Sequence, residues 1–194
     1  MLFRSIATVF ATLLGTLIAF ALGRHSFKGR STTNLLIFLP MATPEVVLGA
    51  SLLAMFLTFK INPGFLTTVI AHVMFCISFV VTTVKARIAS LDPRLEQAAM
   101  DLYANEFETF RRVTLPLVMP GIAAAALLAF SLSFDDFIIT NFNSGTLMTF
   151  PKFVYVASAR GIPAQANVIG SSMFILALAI VIAGQFVGRK RKIS

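Results

Sequence analysis

The sequence is poor in charge, poor in cysteine and empty of catalytic constellations. Only 12% of its 194 residues are Asp, Glu, Lys or Arg, about half the share usual in a soluble domain. Cys76 is the single cysteine, so neither a disulfide framework nor a cysteine metal site is available. No Gly-x-x-x-x-Gly-Lys-[Ser/Thr] segment occurs, which excludes nucleotide binding through a P-loop. No Ser/His/Asp, metal-ligand or paired-acid arrangement converges, so no catalytic residues, metal or cofactor are expected. His72 and Cys76 fall in one apolar stretch with no partners at metal spacing and read as packing residues.

What the chain has is apolar length. Hydrophobic residues make up 57% and mean hydropathy is +0.87. Five stretches, near 3–23, 35–59, 65–84, 115–140 and 167–188, approach the roughly 20 residues a membrane span requires. The fold class expected is all-α, a polytopic transmembrane helical bundle with about five spans.

The net charge of +8 could suggest nucleic acid, but its placement argues for topology. Three basic clusters (Arg24/Lys28/Arg30, Lys85/Arg87/Arg94/Arg111/Arg112 and the run 189–192) hold twelve of the sixteen Lys and Arg; Arg4, Lys60, Lys152 and Arg160 are the other four. The side with the twelve is expected to be cytoplasmic, the C-terminus with it, and no nucleic acid is expected as a partner. Five spans then leave the N-terminus outside. Residues 3–23 can be read as a signal peptide, but the basic loop that follows favours a chain lacking an upstream span, through truncation or a misassigned start.

Small residues recur every fourth position at Ala7, Ala11, Gly15, Ala19 and Gly23, and again at Gly121, Ala125, Ala129 and Ser133. Such ladders let helices approach closely. Pro40 and Pro44 should each bend the second span, and breaks of that kind survive in lipid only beside other helices or a wet cavity. The chief polar segment, 85–114, carries two helix starts: Asp92-Pro93 as N-cap and N1, and Asn105 with Glu108 as a capping pair. Two short helices should meet near 103–105, with Leu115-Pro116 and Pro120-Gly121 marking the return to the membrane.

Within that segment Glu96-Gln97-Ala98-Ala99-Met100-Asp101-Leu102-Tyr103-Ala104, then Phe110, then Leu115-Pro116, resembles the EAA loop of ABC importer permeases. Small Ala98 and Ala99 suit a helix seated in a partner's groove, while Glu96 and Asp101 could pair with basic groups there. Glu96, Ala98, Ala99, Asp101, Leu102, Tyr103, Ala104, Phe110 and Pro116 are the expected ATPase-coupling residues. Tyr103 stands where the family usually has Gly, which implies a different turn, one using Asn105.

Five of eight carboxylates lie in this loop; Glu45, Asp135 and Asp136 lie in or near the spans, where an ionisable group is a functional candidate by default. Asp136 shares the small-residue face of its span, and Phe134 and Phe137 flank the acidic pair. Carboxylates with aromatic faces suit a polyvalent organic cation. The segment 134–142, and the stretch 40–48 with its Leu-Pro, spacer, then Pro followed by an acidic residue, resemble spermidine/putrescine permeases. Glu45, Asp135, Asp136, Phe134 and Phe137 are the expected substrate-pathway residues.

The resemblance implies a single permease domain over 1–194, with the coupling loop at 85–114 and the first of six usual spans absent. It also implies a bacterial plasma-membrane location, with the lipid bilayer, a separate ABC ATPase, a second permease subunit forming a heterodimer, an extracytoplasmic substrate-binding protein and a polyamine substrate as partners. The alternatives are a permease for an anion, iron or a sugar, and a scaffold or channel without an ATPase. An anion importer is disfavoured because it should offer Lys or Arg within the spans, and none is expected there.

Overall fold

The computed structural model describes residues 2–158, 161, 167–172, 174, 175 and 178. Residues up to 148 form one compact unit and those from 149 another. In the first, α1 (Leu2–Arg24), α4 (Phe65–Ala89) and α7 (Leu115–Asp135) pack as the core, with α2 (Arg30–Ala42), α3 (Glu45–Thr58), α5 (Arg94–Asp101), α6 (Glu106–Thr109) and α8 (Ile138–Asn143) around them. In the second, α9 spans Phe150–Ser158, and the described residues of the expected last span are helical. The rest of that span and the basic run 189–192 lie outside the described residues.

The ladders form the core. Ala7, Ala11, Gly15 and Ala19 are buried on one stripe of α1, and α4 lies against it. A Cβ at Gly15 would come within 2.7 Å of Val80 Cγ1 and 3.3 Å of the Ile77 carbonyl, so the two backbones approach as closely as glycine permits. On α7, Ala125, Ala129 and Ser133 are buried, and the Cys76 thiol reaches the Ala129 carbonyl at 3.5 Å. At Gly121 a Cβ would meet Arg87 Cγ at 2.5 Å. That space admits the Arg87 guanidinium, which donates twice to the Leu117 carbonyl, at 3.0 and 2.8 Å.

Two expected spans differ from their sequence outline. The second is two helices bent by 108° at Thr43-Pro44. Pro40 sits inside α2 without ending it, whereas Pro44 forces Thr43 into extended backbone, ψ 133°, because a residue before proline avoids the α region. The fourth stops at Asp135; Asp136 turns extended, ψ 122°, and α8 follows. Counted by length and apolarity among the described residues, three helices can cross a membrane, or four with the bent pair.

The return to the membrane at Leu115-Pro116 is not a fresh helix start. α6 continues through one π-turn, Phe110–Thr114, into α7. Pro116 has no N–H and its ring would clash with the carbonyl four residues back; the wider turn, in which the Leu115 N–H bonds the Phe110 carbonyl, absorbs it.

Candidate functional site

Two polar centres stand at opposite ends of α1. The first surrounds the loop between α4 and α7. Asp92 Oδ1 accepts from the Arg94 N–H at 2.9 Å, the bond expected of an N-cap preceding proline. Glu108 N–H donates to Asn105 Oδ1 at 2.8 Å while Asn105 N–H reaches Glu108 Oε2 at 3.4 Å, a reciprocal capping box.

The turn between these helices corrects the expectation for Tyr103. No alternative turn forms. Tyr103 itself takes φ +63°, with its N–H on the Met100 carbonyl and the Ala104 N–H on the Ala99 carbonyl. This is the Schellman C-cap in which glycine is usual, built with tyrosine; Asn105 is the extended N-cap of the next helix. Cap geometry at both ends overrides the side chain's preference.

Glu96 points inward. Both its oxygens accept from the Arg24 guanidinium, and Thr114 Oγ1 also donates to it. The Arg24 bonds hold its carboxyl below the usual carboxylate range; burial opposes the shift, and Thr114 adds to it. Glu96 thus ties the end of α1, helix α5 and the start of α7 together. Outward lie Ala98, Asp101, Leu102, Tyr103 and Phe107, all exposed, Leu102 and Tyr103 by 82% and 97%. Ala99 and Ala104 are half-buried. Phe110 stacks edge-on against Phe20, centroids 5.2 Å apart, and Pro116 is exposed on α7.

The second centre joins α1, α4, α7 and α8. His72, fully buried, places Nε2 2.9 Å from Thr140 Oγ1 and Nδ1 2.8 Å from Ser133 Oγ. Asp136 Oδ1 accepts from the Ile139 N–H, and its Oδ2 accepts from the Thr140 N–H and hydroxyl, at 2.9–3.1 Å; His72 Nε2 is 3.5 Å away. With the Thr140 hydroxyl committed to Asp136, the Nε2–H tautomer of His72 satisfies the set, donating to Thr140 while Ser133 donates to Nδ1. Asn143 extends it: Nδ2 donates to the Gly49 carbonyl at 3.2 Å, and its own carbonyl accepts from Thr67 Oγ1 at 2.8 Å.

Asp136 therefore caps α8, with a side chain only 2% exposed. Asp135 and Glu45 are exposed, and both acids of the pair act electrostatically on Glu45. Phe137 and Phe134 are half-buried. His72 is more than a packing residue, though among the described residues no group of His, Cys, Asp and Glu could hold a metal. A larger departure is Arg4. Tallied in the sequence with the outer-side charges, it is 2% exposed within α1, its guanidinium carbon 4.6 Å from the Phe134 ring centroid. The expectation of spans without Lys or Arg fails at this residue. An arginine one turn into an apolar helix was the available signal.

An apolar bundle with one broken helix pair, a buried polar centre at one end and a capped helical loop at the other is the build of a membrane-embedded helical component. The family of binding-protein-dependent transport system inner membrane components matches residues 11–189, and the chain belongs to that family. The spermidine/putrescine transport system permease protein PotC of Escherichia coli (strain K12) is 37% identical over 186 residues, 95% of this chain and 70% of that protein. PotC of Haemophilus influenzae is 35% identical over 185 residues, 95% of this chain and 72% of its own length. The putrescine transport system permease protein PotI of Escherichia coli (strain K12) is 36% identical over 173 residues, 85% and 62% of the two chains.

Proposed function

We propose that the chain is the permease subunit of an ABC importer that translocates polyamines, spermidine or putrescine, across the bacterial inner membrane. The observation that carries this reading is the likeness, over 95% of the chain, to permeases named for those substrates. The geometry supports it at both ends. Leu102, Tyr103 and Phe107 form an exposed apolar tip on a loop rigidified by two caps, suited to a groove on a separate ATPase, with Asp101 beside it. At the far end, Glu45 and Asp135 present carboxylates where α3 begins and α7 ends. Each ammonium of a polyamine is costly to strip of water without such anionic partners.

A second permease subunit would close the pathway, and an extracytoplasmic binding protein would deliver the substrate to the acidic end. The loop and the C-terminus then face the cytoplasm. Asp136 contributes by fixing α8, so its neutralisation should impair assembly as well as transport.

The test is uptake of labelled spermidine and putrescine by the complete transporter in proteoliposomes. Asp135→Asn and Glu45→Gln, which keep shape and remove charge, should each reduce uptake at least several-fold with assembly unchanged. Normal polyamine uptake by both neutral variants would remove the acids from the pathway. Transport of an anion, iron or a sugar in place of polyamines would replace the reading.

A further inference from the structure

Arg4 is a buried cation that neither the loop nor the helix caps account for. Its Nε and Nη2 have no hydrogen-bond partner. The guanidinium lies over Phe134 and 5.2 Å from the ring centroid of Phe3, and the charges acting on it are those of Asp136 and Asp135. Asp136, whose oxygens accept from Ile139 and Thr140, makes no hydrogen bond to those two guanidinium nitrogens. Buried guanidinium groups are ordinarily paired and fully hydrogen-bonded. This one has an aromatic face, an acidic field and two idle donors.

Those surroundings are what a ligand cation would seek: a ring for cation–π contact and carboxylates for charge. We propose that Arg4 is a tethered counter-ion occupying the cation subsite formed by Phe134, Asp135 and Asp136, and that an ammonium group of the transported polyamine displaces it. The inference rests on the polyamine reading above.

Two properties fit displacement. The idle donors mean that Arg4 gives up few hydrogen bonds on leaving, and a compact, flexible alkylammonium can approach Asp135 from its exposed side. Occupancy then becomes a competition, and apparent affinity is the intrinsic affinity reduced by the fraction of time the subsite stands open. Transport gains from this, since a substrate must bind well enough to enter and weakly enough to leave; the returning arginine expels it.

The experiment compares wild type, Arg4→Gln, Arg4→Lys, Asp135→Asn and Arg4→Gln/Asp135→Asn. Equilibrium binding of radiolabelled spermidine is measured on the purified permease–ATPase complex without the binding protein, and uptake on the complete transporter in proteoliposomes. Arg4→Gln should tighten spermidine binding about ten-fold while lowering maximal uptake, because the competitor is gone. Arg4→Lys, which keeps the charge but stacks and forks less well, should shift binding about three-fold in the same direction. In the Asp135→Asn background the effect of Arg4→Gln should shrink to two-fold or less, since the contested acid is absent.

Binding by Arg4→Gln and Arg4→Lys no tighter than wild type, with wild-type polyamine uptake intact, would overturn the tethered counter-ion and leave the transport reading standing. Should Arg4→Gln fail to assemble, Arg4→Lys is judged by the same criterion. No polyamine uptake by wild type would overturn the transport reading and this inference with it.

Discussion

Exchanging Arg24 and Glu96 tests whether the coupling loop is held from within. The bidentate pair has side chains 33% and 19% exposed, so full water screening does not apply, nor does a dry interior. Two unit charges about 4 Å apart attract by about 4 kcal/mol at an effective dielectric of 20. Desolvation and ordering of two long side chains remove much of this. A forked, partly exposed pair with a third donor should retain about 1–2 kcal/mol, between exposed ion pairs and hydrogen bonds to buried charges. Losing it lowers the ratio of seated to loose loop by about 5- to 30-fold. Glu96→Arg sets two guanidinium groups face to face and should abolish spermidine-stimulated ATP hydrolysis and uptake in proteoliposomes, with the protein still in the membrane. Arg24→Glu/Glu96→Arg restores the pair and should recover at least half of both activities. A double variant no better than Glu96→Arg would refute an internal clamp and return Glu96 to the ATPase interface. A pH corollary follows. Because Arg24 holds the Glu96 carboxyl below its usual 4.5, the clamp is fully present above that value and is lost as pH falls through the lowered one. Between about pH 5 and 8 it should contribute no pH dependence.

Tyr103→Gly should relieve the left-handed backbone at the Schellman cap, worth about 1 kcal/mol, and slow hydrogen exchange at the end of α5. Because the ring is 97% exposed, the same change should weaken ATPase binding several-fold, and unaltered affinity would take the ring out of the interface. Gly15→Leu should separate α1 from α4, costing about 1–3 kcal/mol of overpacking and lowering the apparent Tm in detergent by several degrees; an unchanged Tm would contradict the close approach at Val80.

What could be read in the sequence was local. The small-residue ladders repeat every fourth position, so their burial follows from helix geometry. The capping pairs Asp92-Pro93 and Asn105/Glu108 place both partners within three residues, and both form. What could not be read depends on separation. Glu96 meets Arg24 72 residues away, and His72 meets Ser133 and Thr140 at 61 and 68; no spacing announces such pairs. Arg4 looked like an outer charge because its neighbour Phe134, far along the sequence, meets it only in the fold. Asp136 follows the small-residue face, but its bonds as the cap of α8 were not announced, because that helix begins inside the apolar run and is hidden by it. Tyr103 was misjudged for a physical reason: side-chain preference at one residue is about 1–2 kcal/mol, less than the cap bonds on either side.

The two polar centres share one rod. Arg4 and Arg24 are twenty residues apart on α1, about 30 Å of continuous helix. Along that length the contact with α4 includes a backbone approach at Gly15, where Val80 is fully buried and a β-branched side chain in a helix strongly prefers one rotamer. Close-packed surfaces of this kind change by discrete repacking and do not slide continuously. Small slippage of α1 over α4 is therefore disfavoured, and a displacement imposed at the Arg24 end would be carried along α1 or resolved in one step. The same packing explains why the chain tolerates a buried arginine at one end and a partly exposed one at the other. Arg4 is held by α7 at Phe134 and Arg24 by α5 at Glu96, so the two charged contacts lie at opposite ends of α1 while its middle packs on α4 and α7.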